Sequence, residues 1–267
     1  MLEARGLRPK KRLGQHFLMD GGTSARIARL AVDAPGERVL EIGAGTGALT
    51  AALVKLGAAV TAFDLDPDML GVLEARADLA GVDLRQGDAL TFDYAGWAGD
   101  APWRVAGNLP YNVGTPLLLL LAALEHAPER IVAMIQKDVA DRLLAKPGTA
   151  QYGSLTVAIA LTMDVQRALT VPPSAFYPRP GVDSSVVVLH RLPAPRVPLA
   201  DRARFEQVVR GAFAYRRKTL ANSLMLALDL PRERIANAID ALALAPDVRG
   251  ETLDLRTFAA LADRLAP

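Results

Sequence analysis

The 267-residue sequence predicts an α/β protein, with a mostly parallel sheet covered by helices on both faces and a small helical domain after it. Strand-like and helical segments alternate along most of the chain, and many of the strands are continuously apolar, as in sheets buried on both sides. After a proline-rich linker at 192–198 the pattern is helical to the end. We therefore expect a sheet domain at 1–192 and a helical domain at 193–267.

The order of elements follows from apolar runs and helix-start signals. A helix is expected at 23–34, capped by Thr23 or Ser24. Strands are expected at 38–42, 59–64, 82–88, 103–108, 130–136, 154–165 and 184–192. Helices between them are expected after a glycine turn at 43–47, at Asp66-Pro67 through 77, at Thr115-Pro116 and at 137–146; a cap followed by proline favours a helix start.

No helical segment separates the last two strands, whose connection is a proline-rich loop at 171–183. An antiparallel edge is therefore expected there, because antiparallel strands need no helical crossover. Four more helices are expected at 201–216, 218–229, 231–244 and 255–266.

The composition narrows the classes of function. The chain has no cysteine, which excludes disulfides and cysteine nucleophiles, and its three histidines show no metal-ligand spacing, so no metal is expected. The apolar run at 116–124 is shorter than the ~20 residues of a membrane span. No signal peptide is recognisable, so we expect a cytoplasmic protein, and a monomer, because no exposed apolar stripe stands out.

The net charge is only +2, but basic residues cluster in two places. Residues 1–12 hold five basic residues against one acid, and residues 191–218 hold eight against two. Such clusters can contact phosphate, or they can be solvated helix faces. Either reading is open for each cluster taken alone.

A glycine turn, EIGAGTG at 41–47, lies between the first sheet strand and the next helix. Glycines let the backbone approach a ligand, and the helix N-terminus offers free N–H groups. Asp64 ends the next strand, where a carboxylate can accept hydrogen bonds from a ribose. The spacing fits both a dinucleotide turn and the turn of S-adenosylmethionine enzymes. Asp88 ends the third strand, where it could bind an adenine amine or cap a helix.

The fourth strand ends in Asn108-Leu109-Pro110-Tyr111, at the same edge of the sheet. The exocyclic amine of adenine is planar and a poor nucleophile. Two hydrogen-bond acceptors at its N–H bonds could pull it toward a tetrahedral geometry, and the Asn108 side-chain oxygen and the Leu109 carbonyl are such acceptors. The amine could then attack the methyl group of a sulfonium donor. Pro110 keeps Leu109 extended, and Tyr111 offers a stacking face for a base. The alternative is a strand-ending turn with Asn108 as a cap.

A series of longer segments decides between these alternatives. In order they are KKRLGQHFL (10–18), VLEIGAGTGALT (39–50), GDAL (87–90), GNLPYNV (107–113), MIQKDVADRLLAKPG (134–148), YGSL (152–155), FYPRPGVDSSVV (176–187) and FAYRRKTLANSL (213–224). Together they resemble, nearly end to end, the ribosomal RNA small-subunit adenine dimethyltransferases, relatives of the Erm resistance methyltransferases. The resemblance implies a Rossmann-like, class I S-adenosylmethionine-dependent methyltransferase domain and a helical C-terminal domain that contacts rRNA.

The resemblance also implies roles for single residues. Gly43, with Gly45 and Gly47, would hold the methionine part of S-adenosylmethionine, Asp64 its ribose and Asp88 its adenine amine. Asn108 would bridge cofactor and target amine, Tyr111 would lie near the target base, and Phe176 would be a second stacking ring, although from sequence Phe176 is equally a core residue.

His16 and Leu18 lie in a segment that in the family closes over the cofactor. The family usually has Asn where this chain has His16, and Glu where it has Asp64. Arg216, Arg217 and Lys218 would contact rRNA phosphates, with internal salt bridges as the alternative. Lys10, Lys11 and Arg12 form a second RNA-contact candidate.

By this resemblance the protein would convert two adjacent adenosines near the 3′ end of 16S rRNA to N6,N6-dimethyladenosine, in the small ribosomal subunit or its precursor. One alternative is the same chemistry on large-subunit rRNA, as in Erm enzymes. Another is an assembly or transcription factor that binds RNA and keeps a vestigial cofactor site. A nicotinamide oxidoreductase would leave NLPY and the basic tail unexplained.

Overall fold

The computed structural model describes residues 7–266, apart from the side chain of Lys11. The described chain forms two compact units, one made of residues 7–140 with 165–191, and one made of 141–164 with 192–266. The sequence predicts a single boundary, at 192. The chain instead enters the helical unit twice, because the segment 141–164 packs with the C-terminal helices.

The larger unit is built on a seven-stranded sheet in the order β4-β3-β2-β5-β6-β9-β7, with a separate two-stranded pair, β1-β8. The strands are β1 Phe17–Leu18, β2 Arg38–Ile42, β3 Ala59–Asp64, β4 Asp83–Gln86, β5 Arg104–Asn108, β6 Arg130–Gln136, β7 Met163–Val171, β8 Phe176–Tyr177 and β9 Ser184–Arg191. The five strands from β4 to β6 in this order are parallel. An antiparallel strand lies on this side of the sheet, as expected, since β9 runs antiparallel to β6, and β7 is the edge strand.

Helices of the sheet unit are α1 Gly21–Ala31, α2 Ala48–Lys55, α3 Pro67–Glu74, α4 Tyr94–Ala98 and α5 Gly114–Ala123, and α6 Lys137–Leu143 crosses into the helical unit. Asp66 caps α3 as predicted, by accepting from the Asp68 N–H at 3.1 Å. The predicted cap of α1 is wrong: Asp20 caps the helix, and Thr23 instead donates to it. The predicted start of α5 at Thr115 is one residue late, since the helix begins at Gly114. The Val113 and Gly114 N–H groups donate to the Pro110 carbonyl, and no side chain caps the helix.

The helical unit contains α7 Ser154–Thr162, α8 Arg202–Ala214, α9 Leu220–Leu228, α10 Arg232–Asp240 and α11 Leu255–Arg264. The strand predicted at 154–165 is wrong: most of it is α7, and β7 begins only at Met163. Helix α7 packs into the core of the helical unit, where Val157 and Leu161 join a cluster with Phe205 and Phe258. A short helix buried on several sides shows a continuous apolar run, which periodicity alone does not distinguish from a buried strand.

Each unit has its own apolar core. In the sheet unit Ile27, Val39, Leu53, Val132 and Val188 belong to one buried cluster that joins helices to the strands. This packing holds the parallel strands in register, so the carboxyl ends of β2 to β6 lie along one edge. Within residues 7–266 no helix is both long and apolar enough to span a bilayer.

Candidate active site

The carboxyl edge of the sheet carries a cavity of about 310 Å³. Its lining comes from the segment 12–17 and from the loops that follow β2, β3, β4 and β5. Beyond that segment, the lining residues are Ile42, Gly43, Gly45, Phe63, Asp64, Leu65, Gly87, Asp88, Ala89 and 108–113. This is the position at which open α/β sheets bind ligands, and the volume lies at the lower end for small-molecule sites.

The glycine loop after β2 is shaped by left-handed backbone and close packing. Gly43 and Gly45 have φ of 76° and 54°. A Cβ on Gly43 would lie 3.2 Å from the Asn108 carbonyl oxygen, and one on Gly45 would lie 3.0 Å from the Phe17 ring. Glycine is therefore required at both places. Gly47 is the N-cap of α2 and does not line the cavity, so its part is to start the helix.

Asp64 ties the glycine loop to the end of β3. One carboxylate oxygen accepts from the Gly45 N–H and the other from the Asp66 N–H, both at 2.8 Å. Burial raises the pKa of Asp64, and the two backbone donors oppose that shift. The carboxylate lines the cavity and keeps lone pairs for further donors, as a ribose contact requires.

Asp88 lies exposed at the end of β4 and also lines the cavity. Its side chain accepts from the Leu90 N–H at 2.9 Å within a turn. The alternative role as a helix cap is not what the structure shows, because Asp93 caps the following helix, α4.

The NLPY segment is fixed at every residue. The Asn108 side-chain N–H donates to the His16 carbonyl at 2.7 Å, and the Leu109 N–H donates to the Met134 carbonyl at 3.0 Å. The Tyr111 hydroxyl lies 2.9 Å from the Ser184 hydroxyl. Burial raises the pKa of Tyr111, so its hydroxyl stays protonated at neutral pH. An amide, a proline turn and a ring thus meet at the cavity.

His16 covers this segment from the N-terminal side. Its ring stacks on Tyr111 with centroids 5.2 Å apart and an interplanar angle of 30°. Its Nδ1 lies 2.8 Å from the Pro178 carbonyl oxygen. The structure therefore places this His beside the residue expected to receive the target base.

Leu18 and Phe176 do not line the cavity. They face each other in the β1-β8 pair, and both side chains are buried in the core cluster of the sheet unit. Phe176 is only 3% exposed, so of its two readings the structure shows the core residue. The cavity-lining ring beside Gly45 is Phe17, which the sequence reasoning missed; its place before Leu18 in the KKRLGQHFL segment was the available signal.

Lys10 and Gln15 attach the N-terminal segment to the loop after β3. Lys10 pairs with Asp66 and Asp68, each at 2.6 Å, and Gln15 donates to the other oxygen of Asp66 at 2.8 Å. The charge of Lys10 is therefore neutralised by two carboxylates. Arg12 is exposed and lines the cavity, and the Lys11 side chain lies outside the described residues.

Glu41 is a buried acid next to the site, and its role was not predicted from the sequence. Its side chain is 1% exposed, and its Oε2 has no hydrogen-bond partner among the described residues. Burial raises the pKa of Glu41 to about 8, and the nearby Asp64 carboxylate adds to the shift. The signal was present, since an acid inside an apolar strand is rarely buried without consequence.

The predicted RNA-contact residues of the helical unit are exposed together. Arg217 and Lys218 line a depression of about 460 Å³ with Tyr215 and Arg216. Arg216 also donates to the Ala150 carbonyl oxygen. In the described part of the chain none of the three basic residues forms a salt bridge, so the internal ion-pair reading finds no support there.

Residues 7–266 contain no group of three or more His, Cys, Asp or Glu side chains arranged to hold a metal ion.

Comparison with known proteins identifies relatives that match nearly the whole chain. The family model described as "Ribosomal RNA adenine dimethylase" matches residues 6–260. The chain is 42% identical to "Ribosomal RNA small subunit methyltransferase A" of Geobacter metallireducens over 97% of this chain and 96% of that protein.

Two solved structures share the fold over nearly the whole chain. A dimethyladenosine transferase from Plasmodium falciparum matches with a TM-score of 0.78 and 26% identity, covering 92% of this chain and 96% of that one. The 23S rRNA methyltransferase ErmE matches with a TM-score of 0.67 and 26% identity, covering 93% and 99%. Fold and sequence agree, and the chain belongs to the ribosomal RNA adenine dimethylase family, the methyltransferases that use S-adenosylmethionine to methylate adenine in rRNA.

Proposed function

We propose that this protein transfers methyl groups from S-adenosylmethionine to the exocyclic amines of two adjacent adenosines near the 3′ end of 16S rRNA. The product is N6,N6-dimethyladenosine, formed in the cytoplasm during assembly of the small subunit. The observation that carries the proposal is the Asn108 amide, held at the cavity by the His16 carbonyl and beside the glycine loop. The relatives named as small-subunit methyltransferases support the choice of subunit.

The cavity fits S-adenosylmethionine in three respects. The loop at Gly43 and Gly45 leaves no room for a Cβ, so backbone groups approach the ligand closely. Asp64 and Asp88 end neighbouring strands, as acceptors for a ribose and for an adenine amine must. Leu65, half exposed and next to Asp64, offers an apolar surface for the base. When bound, the cofactor supplies an electrophilic methyl group on a sulfonium.

The protein's own part is to prepare the target amine. Because the Asn108 N–H₂ group donates to His16, its side-chain oxygen is the free acceptor for an amine N–H. The Leu109 carbonyl is the second acceptor, and its residue is fixed by the bond to β6. Two acceptors on one amine favour a tetrahedral nitrogen with its lone pair free. Tyr111 offers the ring on which the target base stacks.

Contacts with rRNA phosphates are assigned to Arg217, Lys218 and Arg12. All three are exposed. Arg216 is a weaker candidate because the Ala150 carbonyl takes one of its donors, and Lys10 is weaker still because two carboxylates neutralise it. Lys11 stays a candidate by sequence alone. We expect the protein to bind rRNA as a monomer and without a metal ion.

The test is methyl transfer to small subunits that lack the modification. The protein is incubated with radiolabelled S-adenosylmethionine, and labelled nucleosides are identified and mapped. Dimethyladenosine at two neighbouring positions near the 3′ end of 16S rRNA is the expected result. Cofactor binding with no label in RNA would instead favour an assembly factor with a silent site.

A second candidate is the same reaction on large-subunit rRNA. The observation in its favour is the match to ErmE, which covers 93% of this chain. The same assay with large-subunit rRNA decides, because label there and none on small subunits would replace the first proposal with this one.

A further inference from the structure

Tyr111 is held by two side chains from distant parts of the sequence. Its hydroxyl meets the Ser184 hydroxyl at 2.9 Å, and its ring face meets the His16 ring at a centroid distance of 5.2 Å. One contact fixes the end of the phenol, and the other fixes the plane of the ring. A tyrosine needed only as an exposed stacking surface requires neither contact.

Ser184 is well placed to anchor this hydroxyl. It is the first residue of β9, it is fully buried, and its Cα partner in β6 is Gln136. Two residues earlier on β6, the Met134 carbonyl accepts the Leu109 N–H. The same pair of strands therefore fixes both the backbone of NLPY and the hydroxyl of its last residue.

His16 links the two ends of NLPY. Its ring stacks on Tyr111, and its backbone carbonyl accepts from the Asn108 side chain. The ring is held independently of Tyr111, because Nδ1 lies 2.8 Å from the Pro178 carbonyl. A shift of His16 would thus disturb the stacking ring and the Asn108 amide together.

We propose that Ser184 and His16 are positioning residues for adenine methylation. Together they hold the Tyr111 ring in the orientation in which a base stacked on it presents its amine to Asn108. The inference rests on the proposed function, since it concerns the adenine that the enzyme methylates. It predicts that Ser184 affects turnover rather than cofactor binding, because its contact with Tyr111 does not involve the glycine loop, Asp64 or Asp88.

The hydroxyl contact is tested by a double-mutant cycle of Ser184→Ala and Tyr111→Phe. Each single variant removes one partner of the same hydrogen bond and is expected to lower kcat by about fivefold to tenfold, with the dissociation constant for S-adenosylmethionine within about twofold. The double variant should be no slower than the slower single variant, because Ser184 acts only through the Tyr111 hydroxyl.

Ser185→Ala is the matched control. Ser185 is the next residue of β9 and is also fully buried, but its hydroxyl has no partner among the described residues. This variant should turn over like the wild type. If Ser184→Ala fails to fold, Tyr111→Phe still removes the bond from the exposed side of the pair. Wild-type kcat in either single variant, or additive losses in the double variant, would overturn the role of Ser184.

The stacking contact is tested by His16→Phe and His16→Ala. Phenylalanine keeps a ring against Tyr111 but loses the contact with Pro178, whereas alanine loses both. We expect His16→Ala to lower kcat by about tenfold and His16→Phe to retain most of the wild-type rate. Equal loss in both variants, or none in His16→Ala, contradicts the stacking role. A wild-type protein that methylates no adenine at all would instead overturn the proposed function itself, and this inference with it.

Discussion

Asn108 shows how one residue acquires a defined chemical direction. An amide side chain has a donor end and an acceptor end, and exchanging them would reverse its function. The His16 carbonyl accepts from the donor end at 2.7 Å, which fixes the orientation and leaves the oxygen for an incoming amine. An aspartate of the same shape could not make this bond, because two acceptors would oppose each other.

Replacing Asn108 with alanine should abolish methyl transfer. We expect kcat to fall by at least about 100-fold, as for the removal of one aligned polar group from a reacting centre, while the cofactor dissociation constant changes by less than about tenfold. Single-turnover assays and calorimetric titration measure the two quantities. Asn237→Ala, on the exposed side of α10, is the control, and near-wild-type turnover by Asn108→Ala would end the assignment.

Glu41 makes stability depend on pH. Its carboxyl ionises near 4.5 in the unfolded chain and near 8 in the folded protein, so between these values the folded state holds more protons. The free energy of unfolding from this group is therefore greatest below about 4.5, falls as the pH rises, and levels off above about 8. Alkaline conditions should loosen the strand that leads into the glycine loop.

Glu41→Gln should remove this dependence. At pH 8 the variant is expected to be more stable than the wild type by on the order of 1–3 kcal/mol, and at pH 5 the difference should be much smaller. Urea unfolding at both pH values measures it, with the exposed Glu74→Gln as the control. Parallel changes in wild type and Glu41→Gln would show that Glu41 is not the group responsible.

At the residue scale, the sequence predicts those site residues whose positions follow from the course of the backbone. Asn108, Asp64 and Asp88 follow strands, and the ends of parallel strands meet at one edge whatever the details of packing. The role of Ser184 could not be predicted, and the two readings of Phe176 could not be decided, because both depend on which side chain a distant strand presents. The carboxylate partners of Lys10 could not be predicted for the same reason, since they are more than 50 residues away.

Among the elements, the N-terminal segment is the one whose position depends on the fewest contacts described above. Residues 12–17 line the cavity, yet strand β1 is only two residues long and pairs only with the equally short β8. Lys10 and Gln15 supply side-chain attachments through Asp66. Closing the cavity therefore relies on polar contacts that salt weakens.

Lys10→Ala should weaken cofactor binding without touching the cofactor site. We expect the dissociation constant for S-adenosylmethionine to rise by about threefold to tenfold, and the wild type to approach the variant as salt is added. Titrations at low and high ionic strength test this. Arg8→Ala, which alters an exposed charge two residues earlier, is the control; identical affinities of Lys10→Ala and wild type at low salt would contradict the attachment.

The basic residues that follow α8 should differ in their effect on RNA binding. Arg217→Ala or Lys218→Ala is expected to weaken binding to small-subunit rRNA and to reduce the salt slope by about one unit each, as for one lost phosphate contact. Arg216→Ala is the comparison, because its side chain already donates to Ala150. An unchanged slope for Arg217→Ala and Lys218→Ala would place the RNA elsewhere.

At the scale of elements, the parallel strands and four C-terminal helices were predictable, since their patterns are long and regular. Helix α7 was not, because its apolar residues show no helical period that would separate it from a buried strand. What makes it a helix is tertiary: its residues fill the core of the helical unit, and the Thr156 hydroxyl bonds to the Arg142 carbonyl and the Gly153 N–H.

At the scale of the whole molecule, the two units with separate cores carry different parts of the proposed function. The cavity and all its lining residues belong to the sheet unit, whereas Arg217 and Lys218 belong to the helical unit. Phe258 is fully buried in the core of the helical unit, with Phe205 in the same cluster. Damage to that core should therefore separate RNA binding from cofactor binding.

Phe258→Ala tests this separation. We expect a loss of about 3–5 kcal/mol from the helical unit, seen in calorimetry as an earlier transition, with cofactor affinity close to that of the wild type. Binding to small-subunit rRNA should fall at the temperature of that transition. If cofactor affinity falls in step with RNA binding, the two cores are one cooperative system.

The double entry of the chain into the helical unit has a consequence for anyone who wants the sheet unit by itself. A stop codon after residue 191 would remove the C-terminal helices but leave 141–164 behind, with Tyr152, Val157 and Leu161 stripped of the core that covers them. Such a fragment would expose these apolar side chains to solvent, and we expect it to aggregate. A fragment limited to the sheet unit would instead need 141–164 excised and a flexible linker from Ala140 to Val165.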